Sequence, residues 1–170
     1  TLTDPSYYGQ IVLQTFPLIG NYGIIEEDFE GQCCVKGYIV REWCEAPSNF
    51  RCQYDLDTFL KKNNIPGLYG IDTREVTKII REHGVMNAIL TDKLPQNLED
   101  VKSYRIVDAV KSVTSREAEV FPAKEKRFNV TLIDYGAKKN IIRELTKRGC
   151  EVTVVPSTTA AEEILRQKPD

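Results

Sequence analysis

The sequence predicts an α/β fold, and three observations lead to that expectation. Residues 129–135 form an apolar, β-branched run, Asn129-Val130-Thr131-Leu132-Ile133-Asp134-Tyr135, that reads as a strand. A helical period follows, with Ile141, Ile142 and Leu145 on one face, and residues 150–155 then give a second strand, so the unit is βαβ with right-handed parallel pairing expected. Upstream, strand-like runs again alternate with helical patterns, and 41% apolar residues in a chain of 170 suffice for a real core.

From the amino end, Asp4-Pro5-Ser6 reads as a turn, because proline fixes φ and the Asp and Ser side chains can bond nearby amides. Residues 10–16 follow as a strand covered on both faces, ended by Pro17, with a second tight turn at Gly20, Asn21 and Gly23. The acidic run 26–30 has no apolar face and reads as a solvated loop or a short helix start. Residues 33–40 are a strand candidate with Gly37 marking a bulge, and 41–49 are polar and loop-like.

Asp55 is placed to cap a helix carrying Leu56, Phe59 and Leu60, which Asn63 and Asn64 would stop. Residues 68–71 suggest a short buried strand or bridge. Asp72 with Glu75 three positions on then opens a second helix, with Val76, Ile79 and Ile80 on one face and Gly84 at its end. His83 falls in the last turn, where a cationic imidazole would meet the final carbonyls, a structural role. Residues 85–90 read as a strand, and 100–111 as a weak helix or a strand with turns. From 112 to 127 no apolar period survives, which places a domain boundary near 121–126. After the βαβ unit, Thr159 and Glu162 suggest a capping box opening a helix with Ile164 and Leu165 on its buried side.

Net charge is -2, so composition points away from nucleic acid or anionic lipid as partners and towards a small molecule or another protein. No apolar run approaches the roughly 20 residues of a membrane helix, and a soluble, cytoplasmic chain is expected. The five cysteines, Cys33, Cys34, Cys44, Cys52 and Cys150, show no C-x-x-C spacing, which suggests neither a disulfide framework nor a zinc site; free thiols fit a reducing compartment. Asp134-Tyr135-Gly136 lies at a strand's carboxyl end, where open α/β sheets bind ligands. Gly136 is nevertheless a lone glycine without a phosphate-binding pattern, and a tight strand-to-helix turn accounts for it.

Leu2-Thr3-Asp4-Pro5-Ser6-Tyr7 with Gly9-Gln10-Ile11-Val12, then Pro17-Leu18-Ile19-Gly20-Asn21-Tyr22-Gly23, resembles the small, glutamine-hydrolysing subunit family of carbamoyl-phosphate synthetases. Ser48-Asn49-Phe50-Arg51, residues 56–64, Gly70-Ile71-Asp72-Thr73-Arg74, Arg81-Glu82-His83-Gly84 and Asp134-Tyr135-Gly136-Ala137-Lys138-Lys139-Asn140-Ile141 agree in the same order, so the resemblance covers most of the chain.

The resemblance implies a swivelling β/β/α amino-terminal domain, residues 1–125, followed by the start of a flavodoxin-like class I glutamine amidotransferase domain, residues 126–170. It implies an enzyme, a ligase subunit of pyrimidine and arginine biosynthesis, that frees ammonia from glutamine by a Cys nucleophile activated by His and oriented by Glu. A large synthetase subunit, in a heterodimer, would combine that ammonia with bicarbonate, using ATP and Mg. No cofactor or metal is expected in this chain. By the same resemblance the catalytic Cys, His and Glu match positions after Asp170, and the family's first strands precede Thr1, so the chain is expected to be trimmed at both ends and inactive alone. One functional residue carries over: Ser6 matches the serine that lines the family's glutamine site, whereas spacing alone makes it a turn or capping serine. A non-catalytic docking module for the large subunit and a nucleotide-binding or regulatory module stand as alternatives.

Overall fold

A computed structural model describes all residues from 1 to 170. The chain is mixed α/β with largely parallel sheets and forms two compact units, the first comprising Thr1–Leu2, Tyr7–Phe29 and Cys33–Ile106, the second Thr3–Ser6, Glu30–Gln32 and Val107–Asp170.

In the first unit β1 (Ile11–Leu13), β3 (Gly37–Ile39) and β5 (Gly67–Leu68) make a parallel sheet in the order β1-β3-β5. Strand β2 (Leu18–Ile19) pairs in parallel with β4 (Glu42–Trp43) as a separate ribbon. These strands are shorter than the apolar runs suggested. The run 10–16 keeps only three paired residues; Val12 is buried while Phe16 is exposed, so the strand is not covered on both faces along its length. β4 falls in a stretch that reads as a polar loop, and β2 lies between the stop at Pro17 and the turn at Gly20, where no strand is expected, because a two-residue parallel pairing leaves no periodic trace. β5 is an exposed edge rather than a buried bridge. Residues 85–90 are not a strand: Val85 is 97% exposed and no β partner meets them, and β propensity without a pairing edge forms nothing.

The core of this unit is built by α1 (Leu56–Lys62). Asp55 accepts from the Thr58 amide at 2.7 Å, and Leu56, Phe59 and Leu60 pack with Val12, Val35, Tyr38 and Val40. Phe59 meets Phe29 edge to face with ring centroids 5.6 Å apart. Asn64 ends the helix at φ 53°, the left-handed conformation Asn tolerates. Burial pushes the Tyr38 hydroxyl up to about 12, against a hydrogen bond with Gln14 that lowers it. Helix α2 (Thr73–His83) is opened by Asp72, which accepts from the Glu75 amide at 3.1 Å, and ends at Gly84. Two short helices follow, α3 (Glu99–Ser103) and α4 (Ala109–Val113), the latter in the second unit.

The second unit holds the expected βαβ: β7 (Phe128–Asp134), α5 (Lys139–Lys147) and β8 (Cys150–Pro156), with β7 and β8 parallel in register from Phe128 opposite Cys150 to Asp134 opposite Pro156. β6 (Glu119–Phe121), in the stretch where no period survives, pairs antiparallel with β8 and completes the order β6-β8-β7. The central β8 is therefore the buried one, with Val152 at 0% and Val155 at 1% exposure, and Ile142 and Leu145 of α5 cover it with Val130 and Leu132. The final helix α6 (Ala161–Arg166) starts one residue later than a capping box at Thr159 requires. Its N-cap is Ala160, without a side-chain bond, and Leu165 is 70% exposed, not buried.

Candidate functional site

The turn predicted at Asp4-Pro5-Ser6 is a single 3-10 turn, Pro5–Tyr7. The Ser6 amide donates to Asp4 Oδ1 at 3.0 Å, so the aspartate folds back on its own chain as an Asx turn, and Pro5 between them stiffens the loop. The second oxygen of the same carboxylate, Oδ2, lies 2.8 Å from Lys138 Nζ, and Asp4 is buried at 9% exposure. Burial pushes the Asp4 carboxyl up, but hydrogen bonds from Lys138 and from the Ser6 side chain and backbone outweigh it and hold the group below its ordinary value. Ser6 itself is exposed. All these residues belong to the second unit.

Lys138 reaches Asp4 because of how β7 ends. Asp134 Oδ1 accepts from the amides of Gly136 and Ala137 at 2.9 and 2.8 Å, and its Oδ2 accepts from Ser115 at 2.6 Å. Gly136 has φ 98°, and a Cβ there would stand 2.9 Å from Val113 Cγ2 and 3.2 Å from Pro5 Cβ. The glycine is thus required by both backbone and space, and it lets the Pro5 turn approach the strand end. Residues Glu30–Gln32 complete the arrangement. Glu30 accepts from the Lys139 amide through its carbonyl at 3.1 Å and from the Asn140 amide through Oε2 at 2.8 Å, capping α5, while its own amide donates to the Thr3 hydroxyl at 3.2 Å.

The geometry bears on a phosphate site here. The amides that a phosphate would use at this strand end and helix start are taken by Asp134 and Glu30, two carboxylates of the chain itself. The turn reading of Gly136 is the one this arrangement supports. What remains accessible is Ser6, an exposed residue whose side chain and amide both bond Asp4 on this turn.

The other residues singled out by the sequence lie elsewhere. His83 is exposed in the last turn of α2. Cys150 is buried in β8, the remaining four cysteines are partly buried free thiols, and burial pushes the Cys33 thiol up. No group of three or more His, Cys, Asp or Glu side chains is arranged to hold a metal ion. Two residues of the Ser6 arrangement escaped sequence reasoning. Glu30 looked like part of a solvated acidic run, and Lys138 stood out only as one residue of the stretch 134–141 that carries the resemblance. No local pattern links Lys138 to Asp4, or Glu30 to α5, across more than a hundred residues.

Residues 1–90 match the family described as carbamoyl-phosphate synthase small chain, CPSase domain. The chain belongs to the carbamoyl-phosphate synthase small chain family. It is 52% identical over 175 aligned residues to the carbamoyl phosphate synthase small chain of Listeria monocytogenes serotype 4b (strain F2365), a match covering 100% of this chain and 48% of that protein. To the small chain of Clostridium perfringens (strain 13 / Type A) it is 51% identical, covering 99% of this chain and 49% of the relative. The small chain of Streptococcus agalactiae serotype III (strain NEM316) is 47% identical, with 100% and 48% covered. The chain thus spans about half the length of the carbamoyl-phosphate synthase small chains it matches. No helix is long and apolar enough to cross a membrane.

Proposed function

We propose that this chain is the front part of a glutamine-hydrolysing small subunit, and that its Ser6 hydroxyl forms a hydrogen bond with glutamine in the complete protein. In this reading residues 1–125 belong to the swivelling β/β/α domain, which contributes Ser6, and residues 126–170, with the βαβ unit, begin a flavodoxin-like class I glutamine amidotransferase domain. A cysteine thiolate outside residues 1–170, paired with His and Glu, attacks the glutamine side-chain amide and releases ammonia. Backbone amides hold the oxyanion. A large synthetase subunit, the partner in this reading, consumes the ammonia with ATP, Mg and bicarbonate to give carbamoyl phosphate in the cytoplasm.

The observation that carries the proposal is the exposed Ser6 held on a rigid turn by the buried Asp4, at the carboxyl end of the parallel strand β7. Ligands of open parallel sheets are bound at such strand ends, and a polar side chain on a pre-set turn offers a hydroxyl without further ordering cost. Family membership and the extent of sequence identity support the same reading. The test is Ser6→Ala in the full-length small subunit assembled with its synthetase partner. Loss of one hydrogen bond to substrate is expected to raise the glutamine KM roughly three- to ten-fold, with a smaller change in kcat. An unchanged KM and kcat/KM for glutamine would rule out Ser6 as a substrate contact.

A further inference from the structure

The Asp4 carboxylate does more than a turn requires. An Asx turn needs one acceptor oxygen, which a neutral Asn supplies equally well. Here a charged carboxylate is buried at 9% exposure, and its second oxygen is spent on Lys138, a residue at the start of α5. Burying the charge is unfavourable unless it is paired and hydrogen-bonded, and Lys138 with the Ser6 side chain and amide supplies both. The carboxylate therefore ties the Ser6 turn to the loop that leaves β7. Pro5 also packs closely on Gly136 and on Gly31, where a Cβ would stand 3.2 Å from Pro5 Cβ and 3.0 Å from Pro5 Cγ respectively.

We propose that Asp4 is a positioning residue for glutamine, its carboxylate fixing Ser6 in its binding orientation through the Ser6 amide on one oxygen and Lys138 on the other. This inference rests on the reading of Ser6 as a glutamine contact. Asp4 acts through Ser6, not on the substrate, so its contribution vanishes once the Ser6 hydroxyl is gone.

The experiment is a double-mutant cycle for glutamine hydrolysis in the full-length small subunit with its synthetase partner, using Asp4→Ala, Ser6→Ala and the pair. Expected is a roughly three- to ten-fold rise in KM for each single variant, kcat falling less, and a double variant no worse than Ser6→Ala alone. Asp4→Asn keeps an acceptor for the Ser6 amide but loses the pair with Lys138. Its KM is expected between wild type and Asp4→Ala, and it takes the place of Asp4→Ala in the cycle if that variant does not fold. If Ser6→Ala raises KM while the Asp4 variants leave it unchanged, the positioning role is overturned and Ser6 remains a substrate contact. Asp4 effects that multiply with those of Ser6→Ala also overturn it, because they mark a structural role independent of Ser6. If Ser6→Ala has no effect, the substrate contact fails, and the positioning role fails with it.

Discussion

The helices of six or more residues are started in opposite ways in the two units. In the first unit, α1 and α2 are each capped by the residue immediately before them, Asp55 and Asp72, through bonds three residues long in sequence. In the second, Lys138 and Ala160 precede α5 and α6 without a side-chain cap, and the first turn of α5 is satisfied by Glu30, 110 residues away from Asn140. A local cap forms wherever the helix forms. A distant cap exists only once the chain has folded, so it ties helix formation in the second unit to the docking of the segment from Glu30 to Gln32. The sheets invert this contrast. The strands of the first unit are two or three residues long and depend on a shared helix for their cover, whereas β7 and β8 pair over seven residues.

The largest expected effect tests where each unit keeps its core. Phe59→Ala, at 2% exposure on α1, is expected to cost about 3–5 kcal/mol in a denaturant titration, against about 2 kcal/mol for Val152→Ala on β8, at 0% exposure. Equal losses would mean that α1 is no more central to the first unit than one strand residue is to the second. A smaller effect addresses the caps. Asp55→Ala and Glu30→Ala are each expected to cost about 1 kcal/mol. Amide hydrogen exchange separates them: the first should speed exchange only around Thr58, the second at Asn140 and the first turn of α5. Unchanged protection at Asn140 would remove the distant cap from the comparison.

The smallest effect is on acid stability, where both units hold an aspartate below its ordinary value. For Asp55 the cause is the hydrogen bonding of Thr58, first from its backbone; for Asp4, bonds from Lys138 and Ser6 overcome the upward push of burial. A carboxyl lowered in the folded state adds stability that is present above its unfolded value, about 3.9, and is lost as pH falls through the folded one. Thermal melts of the wild type should therefore fall as pH drops below about 4. Asp55→Asn and Asp4→Asn should each flatten that acid limb while lowering stability near neutral pH. An acid limb as steep as wild type in both variants would show that neither carboxylate contributes to it.

What could be read from the sequence divides along the same line. Asp55, Asp72, Asn64 and Gly84 announce α1 and α2 because capping chemistry is local, and the βαβ of 128–156 is legible because seven-residue strands and a nine-residue helix leave a period. β2, β4 and β6 were not legible, since two or three paired residues leave none unless, as at β1 and β3, a longer apolar run surrounds them. Residues 85–90 show the converse, a strand-like composition that finds no edge to pair with.

The site follows the same rule. The sequence by itself determined the turn at Asp4-Pro5-Ser6, since proline and an Asx acceptor act within three residues, and through its resemblance it singled out Ser6. Only the tertiary structure decided that the Asp4 carboxylate is buried against Lys138, that Glu30 caps α5, and that Gly136 sits where Pro5 approaches closely. Those pairings join residues more than a hundred positions apart, and ion pairs and close packing at that separation are set by where the folded chain returns, which no local pattern of residues encodes.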